Sequence, residues 1–238
     1  MEPRVFSKQF LRLALSLFIA FARMPIHAAP APRFPQSEFA ALLKLAPTLS
    51  PRAIEAALLS LARLDASGIR VRKDVLAVID YTKPSSERRF WVFDLVHRRV
   101  LFQELAAHGK NSGDQMAVRF SNDPNSLMSS IGALLTSDPY LGKHGLSLRL
   151  RGLEKGINDN CLTRNIVIHG APYVSEDAAR LQGRVGRSWG CPAVRLEISR
   201  SLIETLRGGA LVLAYYPDPS WLRKSKLAGP LTGANSGS

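Results

Sequence analysis

From Val71 onward the chain is written in short runs of β-branched and aromatic residues, and no other feature restricts its fold so strongly. "VLAVIDY" (Val75–Tyr81) and "RFWVFDLV" (Arg89–Val96) are short and rich in side chains that suit a pleated surface. "RRVLFQEL" follows the second run after a tight connection, so these two pair as a hairpin. "LSLRL" (Leu146–Leu150) alternates, which predicts leucines inward and Ser147 and Arg149 outward. "NIVIH" (Asn165–His169) reads as a buried strand ending in a polar residue, "CPAVRL" as the strand after it, and "ALVLAYY" (Ala210–Tyr216) as the last. Residues 199–207 break the pattern as a helix, with Ser199 capping it and Gly208 ending it. Long loops near 108–130 and 151–164 lie between strands, where function tends to concentrate. Residues 71–217 are therefore expected to form one domain, mainly β with short helices. The tail 218–238 finishes in Gly, Asn and Ser and is expected to be loose.

The residues ahead of this domain read differently. "LSPRAIEAALLSLARL" places Ser50 as N-cap and Pro51 at the first helical position, with Ile54, Ala57, Leu58 and Leu61 at helical spacing and Gly68 as the stop. Residues 39–70 are thus expected to be a small helical segment of two short helices, packed on the main domain. Residues 29–38, "APAPRFPQSE", read as a linker. Residues 1–28 read as a secretory signal peptide: a basic start with Arg4, Lys8 and Arg12, the apolar run Leu13–Ala22, then Ile26 and Ala28 before a cleavage at Ala29. The apolar run is short for an ordinary membrane span, and an uncleaved amphipathic anchor is the competing reading. No later segment is apolar enough to cross a bilayer. Export to the periplasm or cell envelope is the expectation.

The 238-residue chain carries a net charge of +13, and removing residues 1–28 takes four Lys/Arg and one Glu, leaving +10. A basic protein seeks anionic partners. Nucleic acid is disfavoured, because the cations stand singly or in pairs such as Arg88–Arg89 and Arg98–Arg99, with no basic block interleaved with aromatics. An anionic wall or membrane surface fits better. Nothing in the sequence fixes an oligomeric state.

The chain has two cysteines, Cys161 and Cys191. In an exported protein they suggest a disulfide. The alternative is that Cys191, in "GRSWGCPAVR", is a nucleophile. A free thiol with pKa near about 8.5 is poorly ionised at neutral pH and needs a base. His169 lies 22 positions upstream at the end of its strand. Adjacent strands would bring the two together. Arg187 and Arg195 would lower the thiol pKa if they turned toward it, and Gly190 would let a substrate backbone approach. The Cys191 amide and Ser188 hydroxyl are candidates for stabilising an oxyanion.

"IVIHG" followed by "SWGCPA" resembles the L,D-transpeptidase catalytic domain family, whose pattern is His-Gly, a spacer, then Ser/Thr-X-Gly-Cys. The blocks "AHGKNSG", "FSNDPNS", "GKHG", "GLEKGINDN" and "GRSWGCPAV" are similar to its murein L,D-transpeptidase branch, over about Asp74 to Tyr216. The resemblance implies a β-sandwich-like sheet assembly with short helices. It implies Cys191 as nucleophile, His169 as general base, and Ser188 and Gly190 shaping the oxyanion site. The substrate implied is the tetrapeptide stem of peptidoglycan: the cysteine acylates at the third residue, expels D-alanine and passes the acyl group to a neighbouring amine, making a 3→3 crosslink. No metal or organic cofactor is implied. Transfer to water instead would make an L,D-carboxypeptidase, and a decayed scaffold would make a non-catalytic basic wall-binding protein. Two departures stand out. Trp189 occupies the commoner His position, and Ala193 the commoner Arg position, leaving Arg187 and Arg195 as substitutes for carboxylate recognition. "SSIG" (Ser129–Gly132) stands for the commoner Thr-Pro-X-Gly.

The remaining residues carry plainer readings. Trp189 is either a pocket wall or a stacking face for substrate. His108 and His144 are expected to orient loops or to partner His169, His144 is also a candidate substrate-binding residue, and no spacing supports zinc. "GLEKGIND" lacks the ending of a phosphate loop and reads as a structured loop. Lys143 and Lys155 are expected to be solvated, and Cys161 has no implied role.

Overall fold

The computed structural model describes residues 34–229. The expected signal peptide, the first part of the linker and the last nine residues lie outside the described residues. The fold is mainly β with short helices: among the described residues, eight strands in a single sheet and five helices. The strands are β1 (Val75–Asp80), β2 (Phe90–Asp94), β3 (Arg99–Glu104), β4 (Gly132–Gly142), β5 (Gly145–Gly152), β6 (Val167–Gly170), β7 (Ala193–Val194) and β8 (Leu211–Tyr215), in the order β3-β2-β1-β8-β4-β5-β6-β7. β1 and β8 pair in parallel, as do β6 and β7; the other pairs are antiparallel. The two ends of this order meet. Beyond β3, Ala107 N donates to Ala193 O at 2.8 Å, and Glu104 at the end of β3 holds Arg195 just after β7. The sheet therefore folds back on itself and encloses a core of side chains from both halves.

β1 and β8 sit mid-sheet and are buried along their whole length, which is why both read as continuous apolar runs. Helices α1 (Gln36–Leu45) and α2 (Pro51–Ala66) precede the sheet, and α2 packs over β1 and β8 with Ala53, Ile54, Ala57 and Leu58 buried. Pro51 opens α2 as expected, but Ser50 makes no side-chain cap; its backbone N–H donates to the buried Asp80 at 3.1 Å. α1 begins inside the segment read as linker.

Several expectations are corrected. Ser147 was expected outward and is 1% exposed, because it lies opposite His169 in the β5–β6 pair and shares its face of the sheet. The helix expected at 199–207 is α4 (Leu196–Leu206); Ser199 sits within it and donates to Leu196 O at 2.9 Å instead of capping. The strand expected from Cys191 shrinks to β7. β4 and helix α3 (Glu176–Gln182) have no counterpart in the sequence reading. The tail is not loose where it is described. Helix α5 (Pro219–Lys224) seats Trp221 at 2% exposure, with its indole N–H on buried Glu154 at 3.2 Å.

The "GLEKGINDN" stretch holds the structure together through its polar atoms. Glu154 also accepts Ala133 N at 2.8 Å and the Ser225 hydroxyl, while Asn158 donates to Ile131 O at 2.9 Å and accepts Glu154 N at 2.9 Å. Next to it, Asn122 donates to Asp159 at 2.8 Å and accepts Asn160 N at 3.0 Å. The buried side chains of Glu154 and Asn158 are thus hydrogen-bonded, as burial requires. Both long loops are thereby fixed to one another and to the sheet.

Candidate active site

His169 is the third residue of β6, and its register partner across the parallel β6–β7 pair is Ala193. Cys191 lies two residues before Ala193. His169, Ser188, Trp189 and Cys191 line one cavity of about 480 Å³. The thiol and the imidazole that are far apart in sequence thus share one enclosure.

The tautomer of His169 follows from its partner. Nδ1 lies 2.9 Å from Gly170 O, which only accepts, so Nδ1 carries the proton and Nε2 keeps its lone pair. Burial holds the His169 pKa below the usual imidazole value, with the His144 and Lys143 charges adding to the effect. The ring is therefore neutral at neutral pH, the form that takes a proton. Cys191 is half-buried, and its Sγ donates to Asn165 O at 3.6 Å. Burial pushes its pKa up, opposed by the Val167 backbone N–H and by the Lys143 and Arg164 charges. The resting pair is thiol plus neutral imidazole, a nucleophile that is deprotonated as it reacts.

The turn carrying Cys191 is pinned from beneath. Ser188 N donates to His108 O at 2.9 Å, and Lys110 N to Ser188 O at 2.8 Å. The Ser188 hydroxyl donates to Cys191 O at 2.6 Å and accepts Gly190 N at 3.1 Å. In this arrangement the Ser188 hydroxyl braces the turn, spending its proton on the Cys191 carbonyl. Gly190 has φ +122°, and a Cβ there would stand 2.7 Å from Met128 O. Glycine is required by backbone geometry and packing against Met128, before any substrate approaches.

His108 is itself held by buried Arg89. The Arg89 guanidinium donates to Ala106 O at 3.0 and 2.7 Å, to Lys83 O at 2.9 Å and to His108 Nδ1 at 2.7 Å. Because Arg89 can only donate, Nδ1 of His108 accepts, and its Nε2 proton faces Gly113 O. "AHGKNSG" is thus a supporting bracket.

His144 reaches the site from the β4–β5 turn and stacks on His169, ring centroids 4.3 Å apart and planes within 17°. Trp189 is 66% exposed as one wall of the cavity, and Lys143 Nζ lies 5.1 Å above its ring. Arg187 lines the cavity but pairs with Asp114 at 3.3 Å and Gly113 O at 3.2 Å. Arg195 is taken out of the site altogether: its guanidinium is bidentate on Glu104 at 2.8 and 2.9 Å. Both cysteines are free, and Cys161 is fully buried in the main core, which removes the expectation of a Cys161–Cys191 disulfide. Among the described residues no group of three His, Cys, Asp or Glu is placed to hold a metal ion, and no helix is long and apolar enough to cross a membrane.

The sequence model of the L,D-transpeptidase catalytic domain family matches residues 45–215. The chain belongs to that family. Among solved structures it is similar to an L,D-transpeptidase from Mycobacterium smegmatis, at 15% identity and TM-score 0.37, covering 60% of this chain and 59% of that one. It is similar to LD transpeptidase LdtMt1 in complex with imipenem, at 14% identity and TM-score 0.37 with the same coverage, 60% and 59%. It is also similar to the helical cell shape determining protein Pgp2 from Campylobacter jejuni, at 13% identity and TM-score 0.41, covering 66% and 50%. The chain spans 50% to 59% of the length of these three chains. No curated protein sequence matches it.

In this L,D-transpeptidase catalytic domain the cavity departs from the sequence expectation in its cations. Arg164, unnoticed in "DNCLTRN", lines the wall and donates to Ser130 Oγ at 2.8 Å, Ser126 Oγ at 3.0 Å and Met128 O at 2.6 Å. Asn165 presents its carbonyl to the thiol from a left-handed backbone, φ 53°. Lys143, read as solvated, is exposed and also lines the cavity. Only tertiary structure brings these three to the thiol, so no spacing pattern marks them.

Proposed function

We propose that the protein is a peptidoglycan L,D-transpeptidase that works through a cysteinyl acyl-enzyme. The observation that carries this reading is the His169 imidazole, its Nδ1 tied to Gly170 O and its Nε2 left to act as base, in one cavity with the Cys191 thiol. His169 Nε2 takes the thiol proton as sulfur attacks the carbonyl carbon of the third stem residue. The carbonyl oxygen gains the charge, and the Cys191 amide is the donor for it. Collapse breaks the C–N bond; the proton on His169 passes to the departing D-alanine amine, leaving a thioester. A side-chain amine from a second stem attacks that thioester, His169 takes its proton, and the thiolate leaves and is reprotonated. The product is a 3→3 crosslink. No step needs a metal or a cofactor.

The cavity's chemistry supports a carboxylated substrate: Lys143, Arg164 and Arg187 line it, and among the described residues no Asp or Glu does. The basic chain and its signal-like N-terminus support action in the cell envelope. Incubation with purified tetrapeptide stems and mass analysis of the products tests the reading. Crosslinked dimers that vanish with Cys191→Ala support it; shortened stems alone assign the acyl group to water and an L,D-carboxypeptidase. Unchanged products with Cys191→Ala would refute the thiol's role.

A further inference from the structure

The cavity holds three cations, and they are not equivalent. Arg187 faces Asp114 at 3.3 Å, and Arg164 spends its guanidinium on the backbone and hydroxyls of the 121–130 loop. Lys143 has no carboxylate within ion-pair distance among the described residues. Its ammonium is parked over the Trp189 ring at 5.1 Å, at the tip of the β4–β5 turn. The neighbouring His144 stacks on His169, so the turn is held against the reacting pair from both of its tip residues. Arg195, which with Arg187 was a substitute for the arginine of the commoner family pattern, is committed to Glu104.

We propose that Lys143 receives a carboxylate of the donor substrate and that Trp189 positions it to do so. The inference deepens the transpeptidase reading and rests on Cys191 as the reacting thiol. A cation resting on an aromatic face keeps its charge and gives up little to exchange that contact for a carboxylate. The indole at 189, which cannot titrate, fixes where the ammonium waits. The same charge serves a second end, since it stabilises the Cys191 thiolate as it forms. The substrate class is then a peptide with a free carboxylate close to the scissile amide, either the terminal carboxylate of the leaving residue or one on the acylated residue.

The experiment compares Cys191 alkylation by iodoacetate and by iodoacetamide, reagents of similar shape that differ by a charge. Losing Lys143 slows both reagents through the thiolate fraction, but their rate ratio cancels that effect and reads anion recognition alone. Lys143→Met is expected to lower the iodoacetate-to-iodoacetamide ratio about fivefold to tenfold, and Lys143→Arg to restore most of it. Arg187→Met is expected to move it less. In a second arm, turnover of a donor tetrapeptide is compared with that of its C-terminal amide; wild type is expected to favour the acid and Lys143→Met to lose that preference if the terminal carboxylate is the one read. An amide accepted equally by wild type, with the alkylation ratio still dependent on Lys143, assigns the carboxylate to the acylated residue. A ratio unchanged by Lys143→Met, or a thiol closed to both reagents, overturns the proposal. A Lys143-dependent ratio in a protein that turns over no stem peptide leaves the anion site standing and removes the transpeptidase reading.

Discussion

The Arg89 guanidinium donates to Nδ1 of His108 across 2.7 Å, with both side chains fully shut from solvent. The contact forbids a second proton on His108, and burial with the Arg89 charge pushes its pKa down to about 4 from 6.5. His108 in turn offers its carbonyl to Ser188, so this pair props up the turn that carries Cys191.

A pH dependence of stability follows. The unfolded chain protonates His108 below its ordinary pKa, while the folded chain stays neutral to about pH 4. Between those values the unfolded state binds more protons, so stability falls as pH falls. The loss is on the order of 3 kcal/mol across the window. Thermal melts from pH 7 to pH 4 should show it. His108→Asn keeps an acceptor near Arg89 but cannot titrate, and its melts should be flatter over the same range; equal slopes would refute the assignment.

The acid limb of catalysis has a defined direction. Burial disfavours the His169 imidazolium, so the base-competent form persists below the usual imidazole pKa. The acid half-point of kcat/KM should therefore lie below about 6.5. His169→Asn should lower the rate about 10²- to 10⁴-fold and remove that limb. A half-point above the free-imidazole value would contradict the neutral resting pair.

Cys161 and Cys191 should differ in reactivity. Burial raises the Cys161 pKa and its side chain sits in the main core. Folded protein should take up one equivalent of an alkylating agent, at Cys191, and a second on denaturation. Cys161→Ala should leave turnover within about twofold and cost about 1 kcal/mol of stability. Loss of turnover in a folded Cys161→Ala protein would assign Cys161 a role absent from this account.

Trp221 is the keystone of the C-terminal segment. Its ring is buried against Tyr215, centroids 6.0 Å apart, and its N–H meets Glu154. Trp221→Ala should cost about 3–5 kcal/mol in chemical denaturation. A cost under about 1 kcal/mol would restore the loose tail that composition suggested.

Among the strands that sequence reading found, β1 and β8 are buried along their whole length and read as apolar runs, while β3 and β5 are partly exposed and were legible from the tight connection after β2 and from alternation. β4 escaped because Ser137-Asp138-Pro139 reads as a turn; the structure accommodates it as a register shift between Thr136 and Pro139 within one strand. α4 was begun too late because Ser199 looks like a cap, whereas the chain turns earlier, beside Arg195 anchored on Glu104. Cys191 and His169 were expected together because the runs carrying them can lie side by side and resemble the family's His-Gly and Ser-X-Gly-Cys pattern; both line one cavity, although Cys191 itself precedes β7. Lys143, Arg164 and Asn165 were not, since Lys143 reaches the cavity from the β4–β5 turn and Arg164 and Asn165 from the segment before β6, and the course of both is set by contacts distant in sequence.

The most direct test of the central claim is intact-mass analysis of reduced, folded protein quenched in acid during reaction with a tetrapeptide stem. The account predicts an adduct equal to the stem less D-alanine, mapped to Cys191 and missing in Cys191→Ala. An adduct retained in Cys191→Ala, or turnover of the stem with no covalent species on Cys191 under any quench time, would contradict it.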